Sequence, residues 1–261
     1  VTDASLPKKS LGQHWLHDTA SLEAMCAAAE LIKTDTVLEI GPGLGTLTTL
    51  LTEKAKQVIA VELDEQLARD LPSRAPADNL IVETKDILTY DFASLPPDYK
   101  VVANIPYYLT SNLLRMLSET PNPPRSATLL TQKEVAERVA AQPGDLSLLG
   151  VAIQFYWEVD LGMVVPAKLF TPPPKVDSQI LILKRRDRAL FPDVDERAFF
   201  RLVKIGFAQR RKTLLNTLSG GLHLERLAVV AACKSVDIDP QRRAQSLSLE
   251  EWHNLYISLH T

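Results

Sequence analysis

At 261 residues, 46% of them hydrophobic and 23% charged, the chain has ordinary globular composition and ample material for a core. No apolar run is long enough to span a bilayer and the start, Val-Thr-Asp-Ala-Ser, lacks a secretory pattern, so no membrane partner and a cytoplasmic location are expected. The net charge of −3 argues against a general nucleic-acid binder, but it averages two unlike parts: residues 1–180 carry 15 Lys and Arg against 23 Asp and Glu, residues 181–261 carry 14 against 9.

Lys8 to Leu16 form a polar, basic lead-in, and Asp18 is the expected N-cap of a helix reaching about Ile32. Val37–Ile40 read as a short buried strand, apolar apart from Glu39. The strand breaks into Gly41-Pro42-Gly43-Leu44-Gly45, and Thr46 opens a helical run from Leu47 to Leu51. Such a corner suits a nucleotide, since glycines admit a ligand to the backbone and a helix start offers free N–H groups. The dinucleotide fingerprint wants its third glycine one position later than Gly45. Its acid is present: Glu62 lies 21 positions after Gly41, at the end of a strand over Val58–Val61, with Leu63 beside it. A ribose binder fits this spacing, and a pyrophosphate binder does not.

A helix over Asp64–Leu71 and a strand over Leu80–Glu83, ending near Asp86 and Ile87, come next. Strand Lys100–Ala103 then runs into Asn104-Ile105-Pro106-Tyr107-Tyr108. Helix Ser111–Ser118, strand Ala127–Thr131 and helix Gln132–Ala140 continue the alternation, which predicts an α/β fold with a parallel sheet. Ser147–Trp157 reads as helix, and strands Val159–Val165 and Ser178–Leu183 would close the sheet edge in antiparallel fashion. From Asp195 the pattern is wholly helical, with a break expected between Gly206 and Arg210 because an unbroken helix would bury Arg210. These signals predict one domain over residues 1–185 and a small all-helical C-terminal domain over residues 186–261. Cys26 and Cys233 sit among alanines without the neighbours of a metal site, so they read as reduced and buried.

Asn104 stands where a parallel strand ends, on the ligand edge of such a sheet. An exocyclic adenine amine is a poor nucleophile because its lone pair is delocalised into the ring. If the Asn104 oxygen and a main-chain carbonyl accept its two hydrogens, that lone pair is freed, and Tyr107 offers a face for the base. In company with the glycine corner and Glu62, Asn104-Ile105-Pro106-Tyr107 resembles motif IV of the S-adenosylmethionine-dependent adenine-N6 methyltransferases. Leu11-Gly12-Gln13-His14-Trp15-Leu16, Phe170-Thr171-Pro172-Pro173-Pro174-Lys175-Val176-Asp177-Ser178 and Phe207-Ala208-Gln209-Arg210-Arg211-Lys212-Thr213-Leu214 are similar, in order, to three further motifs of the ribosomal RNA adenine dimethyltransferases of the KsgA/RsmA type. One departure is His14-Trp15, where that family usually has Asn-Phe; histidine can still donate a hydrogen bond.

The resemblance implies a Rossmann-like S-adenosylmethionine-dependent methyltransferase sheet and a set of roles. Gly41 and Gly43 would approach the cofactor, Glu62 with Leu63 would hold its ribose, and Asp86 with Ile87 its adenine, while His14 and Leu16 close over its methionine part. Asn104 would also touch the cofactor, and with Ile105, Pro106, Tyr107 and Phe170 it would hold the target base. Lys8, Lys9, Lys175, Arg210, Arg211 and Lys212 would meet RNA phosphates. The implied substrate is small-subunit ribosomal RNA in an immature small subunit; methyl transfer from a sulfonium needs no metal, and a monomer is the default expectation. A large-subunit adenine methyltransferase of the macrolide-resistance type, or a factor acting chiefly by binding during ribosome assembly, are the alternatives.

Overall fold

In a computed structural model, which describes Pro7 and residues 12–260, the chain opens with a two-residue strand, β1 (Trp15–Leu16). Lys8, Lys9 and Leu11 lie outside the described residues. Asp18 caps α1 (Thr19–Ala28), its carboxylate accepting the Ser21 N–H at 2.9 Å. Sequence periodicity extends this helix to Ile32, but in the structure it stops at Ala28 and Glu30 turns left-handed (φ 48°). Lys100 provides the reason: its ammonium donates to the Ala29 and Glu30 carbonyls at 3.2 and 2.7 Å, satisfying the helix end, and pairs with Asp35 at 2.9 Å.

The expected alternation follows: β2 (Thr36–Ile40), α2 (Thr46–Lys54), β3 (Gln57–Glu62), α3 (Glu65–Arg74), β4 (Leu80–Thr84), β5 (Lys100–Asn104), α4 (Thr110–Glu119), β6 (Ser126–Gln132) and α5 (Lys133–Val139). Next come α6 (Leu148–Tyr156), β7 (Trp157–Val165), β8 (Phe170–Thr171) and β9 (Ser178–Arg185). The main sheet has the order β4-β3-β2-β5-β6-β9-β7. Its first five strands pair in parallel, and β9 runs antiparallel to β6 over the register Ser126↔Lys184 to Gln132↔Ser178. Central strands buried on both faces need continuous apolar runs, and Val37, Leu38, Val58, Val101 and Val102 are wholly buried. A separate ribbon pairs β1 with β8, setting Leu16 opposite Phe170.

The rest is helical: α7 (Glu196–Phe207), α8 (Leu214–Leu222), α9 (Arg226–Ser235) and α10 (Leu249–His260). The chain interrupts its helix between Phe207 and Leu214, leaving Arg210 in water as the periodicity requires. Two compact units emerge, one ending at Ala136 and resuming over Glu158–Arg185, the other combining Glu137–Trp157 with the chain from Arg186. The boundary expected at residue 185 therefore omits a piece of the second unit. The piece is α6, whose Val151 and Phe155 are buried in one cluster with Phe199, Leu202, Leu218 and Trp252. Cys26 and Cys233 are both free and buried.

Gly206 shows how tightly the helical unit packs. A Cβ there would fall 2.3 Å from Cη2 of Trp252, a side chain with no exposed surface. Gly206→Ala is expected to lower stability by roughly 1–3 kcal/mol through overpacking. The measurement is the midpoint of thermal or denaturant unfolding, and an unchanged midpoint means that Trp252 moves aside freely.

Candidate active site

In the main sheet, β3 and β4 lie on one side of β2 while β5 and β6 lie on the other. At such a reversal the loops leaving the carboxyl ends of the strands part and open a crevice. Here it is a cleft, partly open to solvent, walled by the segments that follow β2, β3, β4 and β5. The glycines of the first wall differ in purpose. Gly41 (φ +66°) has nothing within 4 Å of where a Cβ would stand, so bare main chain faces the cleft. A Cβ on Gly45 (φ +84°) would lie 2.9 Å from Leu71, so the third glycine serves packing. That is why it need not obey the dinucleotide spacing.

Glu62 is 6% exposed and lines the cleft. Its Oε2 accepts the Gly43 N–H at 3.1 Å and its Oε1 the Asp64 N–H at 2.9 Å, which fixes the carboxylate and leaves each oxygen a second lone pair. Burial raises its pKa, and these N–H groups oppose the rise. Leu63 is exposed beside it, and Asp86 and Ile87 complete that wall. Asp86 Oδ1 accepts the Leu88 N–H at 2.9 Å, which holds the carboxylate at the cleft wall.

Glu39, an apparent interruption of an apolar strand, also lines the cleft and is 1% exposed. Burial pushes its pKa up to about 8, and the Glu62 carboxylate adds to the rise. An unfolded glutamate titrates near 4.5, so between there and about pH 8 the folded chain keeps a proton that the unfolded chain releases. Stability is therefore lost progressively as pH rises through that window, whereas below it both states carry the proton. Glu39→Gln removes the effect. Its unfolding midpoint in the ligand-free protein is expected to match the original near pH 4 and exceed it increasingly toward pH 8. Parallel midpoint curves for the two proteins would contradict this.

Across the cleft, Asn104 ends β5, its main chain held opposite Leu130 of β6. Its side-chain Nδ2 donates to the His14 carbonyl at 3.4 Å, so Oδ1 is the free end of the amide. His14 Nδ1 lies 2.7 Å from the Pro172 carbonyl, and its ring stacks on Tyr107 with centroids 5.9 Å apart and planes 21° apart. The Tyr107 hydroxyl shares a 2.8 Å hydrogen bond with Ser178, and burial raises its pKa. Phe170, 3% exposed, reaches the same cleft because the β1–β8 ribbon sets it opposite Leu16. Ile105 and Pro106 form the floor between.

All the residues expected to bind cofactor or base thus line one cleft: His14, Leu16, Gly41, Gly43, Glu62, Leu63, Asp86, Ile87, Asn104, Ile105, Pro106, Tyr107 and Phe170. Sequence reasoning passed over Trp15, Glu39 and Tyr108, which line it too. The chance to see Tyr108 lay in its place directly after Tyr107.

The sequence pattern of the family described as "Ribosomal RNA adenine dimethylase" matches residues 4–261. The chain belongs to that family. A ribosomal RNA small subunit methyltransferase A from Dehalococcoides mccartyi is 44% identical over 252 residues, covering 95% of this chain and 87% of that protein. Among solved structures, a dimethyladenosine transferase from Plasmodium falciparum superposes with a TM-score of 0.79 at 26% identity, covering 95% of this chain and 98% of the other. The 23S rRNA methyltransferase ErmE gives 0.77 at 30% identity, covering 95% and 100%.

As a member of the adenine dimethylase family, the protein is a methyltransferase that uses S-adenosylmethionine. Its cleft suits such a group. Beside the bare main chain of Gly41 and the fixed Glu62 carboxylate, Glu39 Oε2 and Trp15 Nε1 are buried without a hydrogen-bond partner among the described residues. The Trp15 N–H is a donor for a polar end of a ligand, and the protonated Glu39 carboxyl can donate its O–H or accept.

The basic residues fall into two kinds. Lys184 pairs with Glu30 at 2.9 Å, Arg185 with Asp98 at 2.8 Å, and Arg242 with Glu251. Lys175, Arg210, Arg211 and Lys212 are exposed and have no ion-pair partner among the described residues. No described helix is long and apolar enough to cross a membrane.

Proposed function

We propose that this dimethylase family member transfers methyl groups to the N6 amines of adenines, two adjacent ones each dimethylated, in the RNA of an assembling small ribosomal subunit, acting as a cytoplasmic monomer. The observation that carries the reading is the common cleft in which the Glu62 carboxylate and the Asn104 amide oxygen face each other's loops across the switch in strand order. The 44% identity to a small-subunit enzyme supports the choice of RNA.

The bound cofactor supplies a methyl group on a sulfonium, which leaves as a neutral thioether. Every other step belongs to the chain. Gly41 and Gly43 seat the donor against main chain, Glu62 accepts from its ribose hydroxyls, and Asp86 with Ile87 and Leu63 holds the adenine end. His14 and Leu16 cover the remaining part. The target adenine, splayed out of its RNA, lies between Tyr107 and Phe170. The Asn104 Oδ1 and a nearby main-chain carbonyl accept the two amine hydrogens, so nitrogen moves toward tetrahedral geometry and its lone pair points at the methyl carbon. The N–C bond forms as the C–S bond breaks, and the proton of the resulting cationic amine passes to water; alignment of the reacting atoms supplies most of the rate, and fixed carbonyl oxygens face the charge that develops on nitrogen.

We assign the sheet unit to this chemistry and the helical unit to RNA, with Arg210, Arg211 and Lys212 on phosphates and Lys175 doing likewise from its loop. The test incubates the protein with labelled S-adenosylmethionine and with unmethylated small and large subunits, then maps the modified positions. Label on small-subunit adenines is the expected result. The likeness to ErmE favours a second reading, a large-subunit adenine methyltransferase, and label confined to large-subunit RNA would select it.

A further inference from the structure

We propose that Tyr108 forms a second nucleobase subsite at the mouth of the cleft, where it stacks the base next to the flipped target; this rests on the RNA adenine reading above. Of the chain's 16 aromatic side chains, 15 are buried or half-buried. The remaining one is Tyr108, 58% exposed, and it belongs to the cleft wall.

Its backbone leaves little freedom. Tyr108 is the middle residue of a single tight turn, Tyr107–Leu109, that starts directly after Pro106. Successive side chains on a turn of three residues diverge by about 120°. Tyr107 points inward, bonded to Ser178 and stacked on His14. Tyr108 therefore cannot face the same base as Tyr107, although the two are neighbours on one rim. Behind the ring stands Gly12 (φ +62°), where a Cβ would lie 3.4 Å from Cδ1 and Cε1 of Tyr108. Gly12 thus gives the ring a seat without covering it. The Tyr108 hydroxyl has no hydrogen-bond partner among the described residues.

The chemistry of base flipping calls for such a surface. Extruding one adenine strips its neighbour of a stacking partner, and an aromatic ring beside the entrance replaces that contact. Stacking tolerates any base, because every base has a π-face, so Tyr108 holds the neighbour without reading its identity.

The test uses small-subunit particles from cells lacking the activity, with labelled S-adenosylmethionine as donor. Tyr108→Ala is expected to raise KM for the particles roughly ten-fold, the scale of one lost base stack. The kcat and the dissociation constant for S-adenosylmethionine should stay within about two-fold, since stacking outside the pocket touches neither the donor nor the reacting amine. Tyr108→Phe and Tyr108→Trp restore KM, and Tyr108→Leu does not. An unchanged KM in Tyr108→Ala, rescue by leucine as good as by phenylalanine, or a fall confined to kcat would each overturn the subsite. If the unaltered protein transfers no label to the particles, the underlying RNA reading fails and takes the subsite with it. Transfer by the unaltered protein with an indifferent Tyr108→Ala removes the subsite alone.

Discussion

Asn104→Ala is expected to lower turnover by about 100-fold or more, the scale of deleting one fixed group that meets charge at a reacting atom. The reason is directional. The Asn104 Nδ2 is already committed to the His14 carbonyl, so the free Oδ1 is what the amide presents to the cleft. An acceptor held by a strand end and a second hydrogen bond needs no rearrangement when the amine nitrogen becomes positive. Removing it leaves the donor's seat around Gly41 and Glu62 intact, so the dissociation constant for S-adenosylmethionine should move by less than about three-fold. Single-turnover methyl transfer and calorimetric titration read the two quantities separately. Equal turnover in the variant would remove Asn104 from the chemistry.

Glu62→Ala should do the reverse. Hydrogen bonds to a charged group contribute about 1.5–3 kcal/mol each. Two ribose hydroxyls on one carboxylate therefore predict a loss of about 3–6 kcal/mol, which weakens donor binding roughly 150- to 25,000-fold. The truncation also strips the Gly43 and Asp64 N–H groups of their acceptor, so part of the effect passes through the loop that carries Gly41. Glu62→Gln keeps the shape and one acceptor oxygen, and should fall between. At saturating donor the turnover should recover. The thermal stabilisation that S-adenosylmethionine gives the unaltered protein should vanish in Glu62→Ala at the same concentration. An unchanged dissociation constant would release Glu62 from the ribose.

Much of the fold could be read in the residues because each strong signal was local. Asp18, Asp64 and Ser147 all cap the helices that follow them, and the periodicity around Phe199–Phe207 located both a helix and its end. The gap from Gly41 to Glu62 survives folding because β2 and β3 pair in parallel, bringing both to the same edge. What escaped was non-local. Two-residue strands such as β1 and β8 have no period to detect, yet they join Leu16 to Phe170 across more than half the chain. The helix α6 looks like any other in sequence, and only the cluster around Phe155 shows which unit it serves. Nothing local in the sequence marks Lys184, Arg185 and Arg242 as ion-paired, because their partners Glu30, Asp98 and Glu251 come from elsewhere in the chain. Glu39 read as a blemish in a strand because burial, which governs its titration, is a tertiary property.

The ribbon of Trp15–Leu16 with Phe170–Thr171 has a thermodynamic corollary. In the proposed reading Leu16 would meet the donor and Phe170 the base, and their strands pair antiparallel in one ribbon that reaches the cleft. A ligand that shifts one strand drags the other. Linkage then requires that whatever the donor does to the affinity for the base, the base does in equal measure to the affinity for the donor.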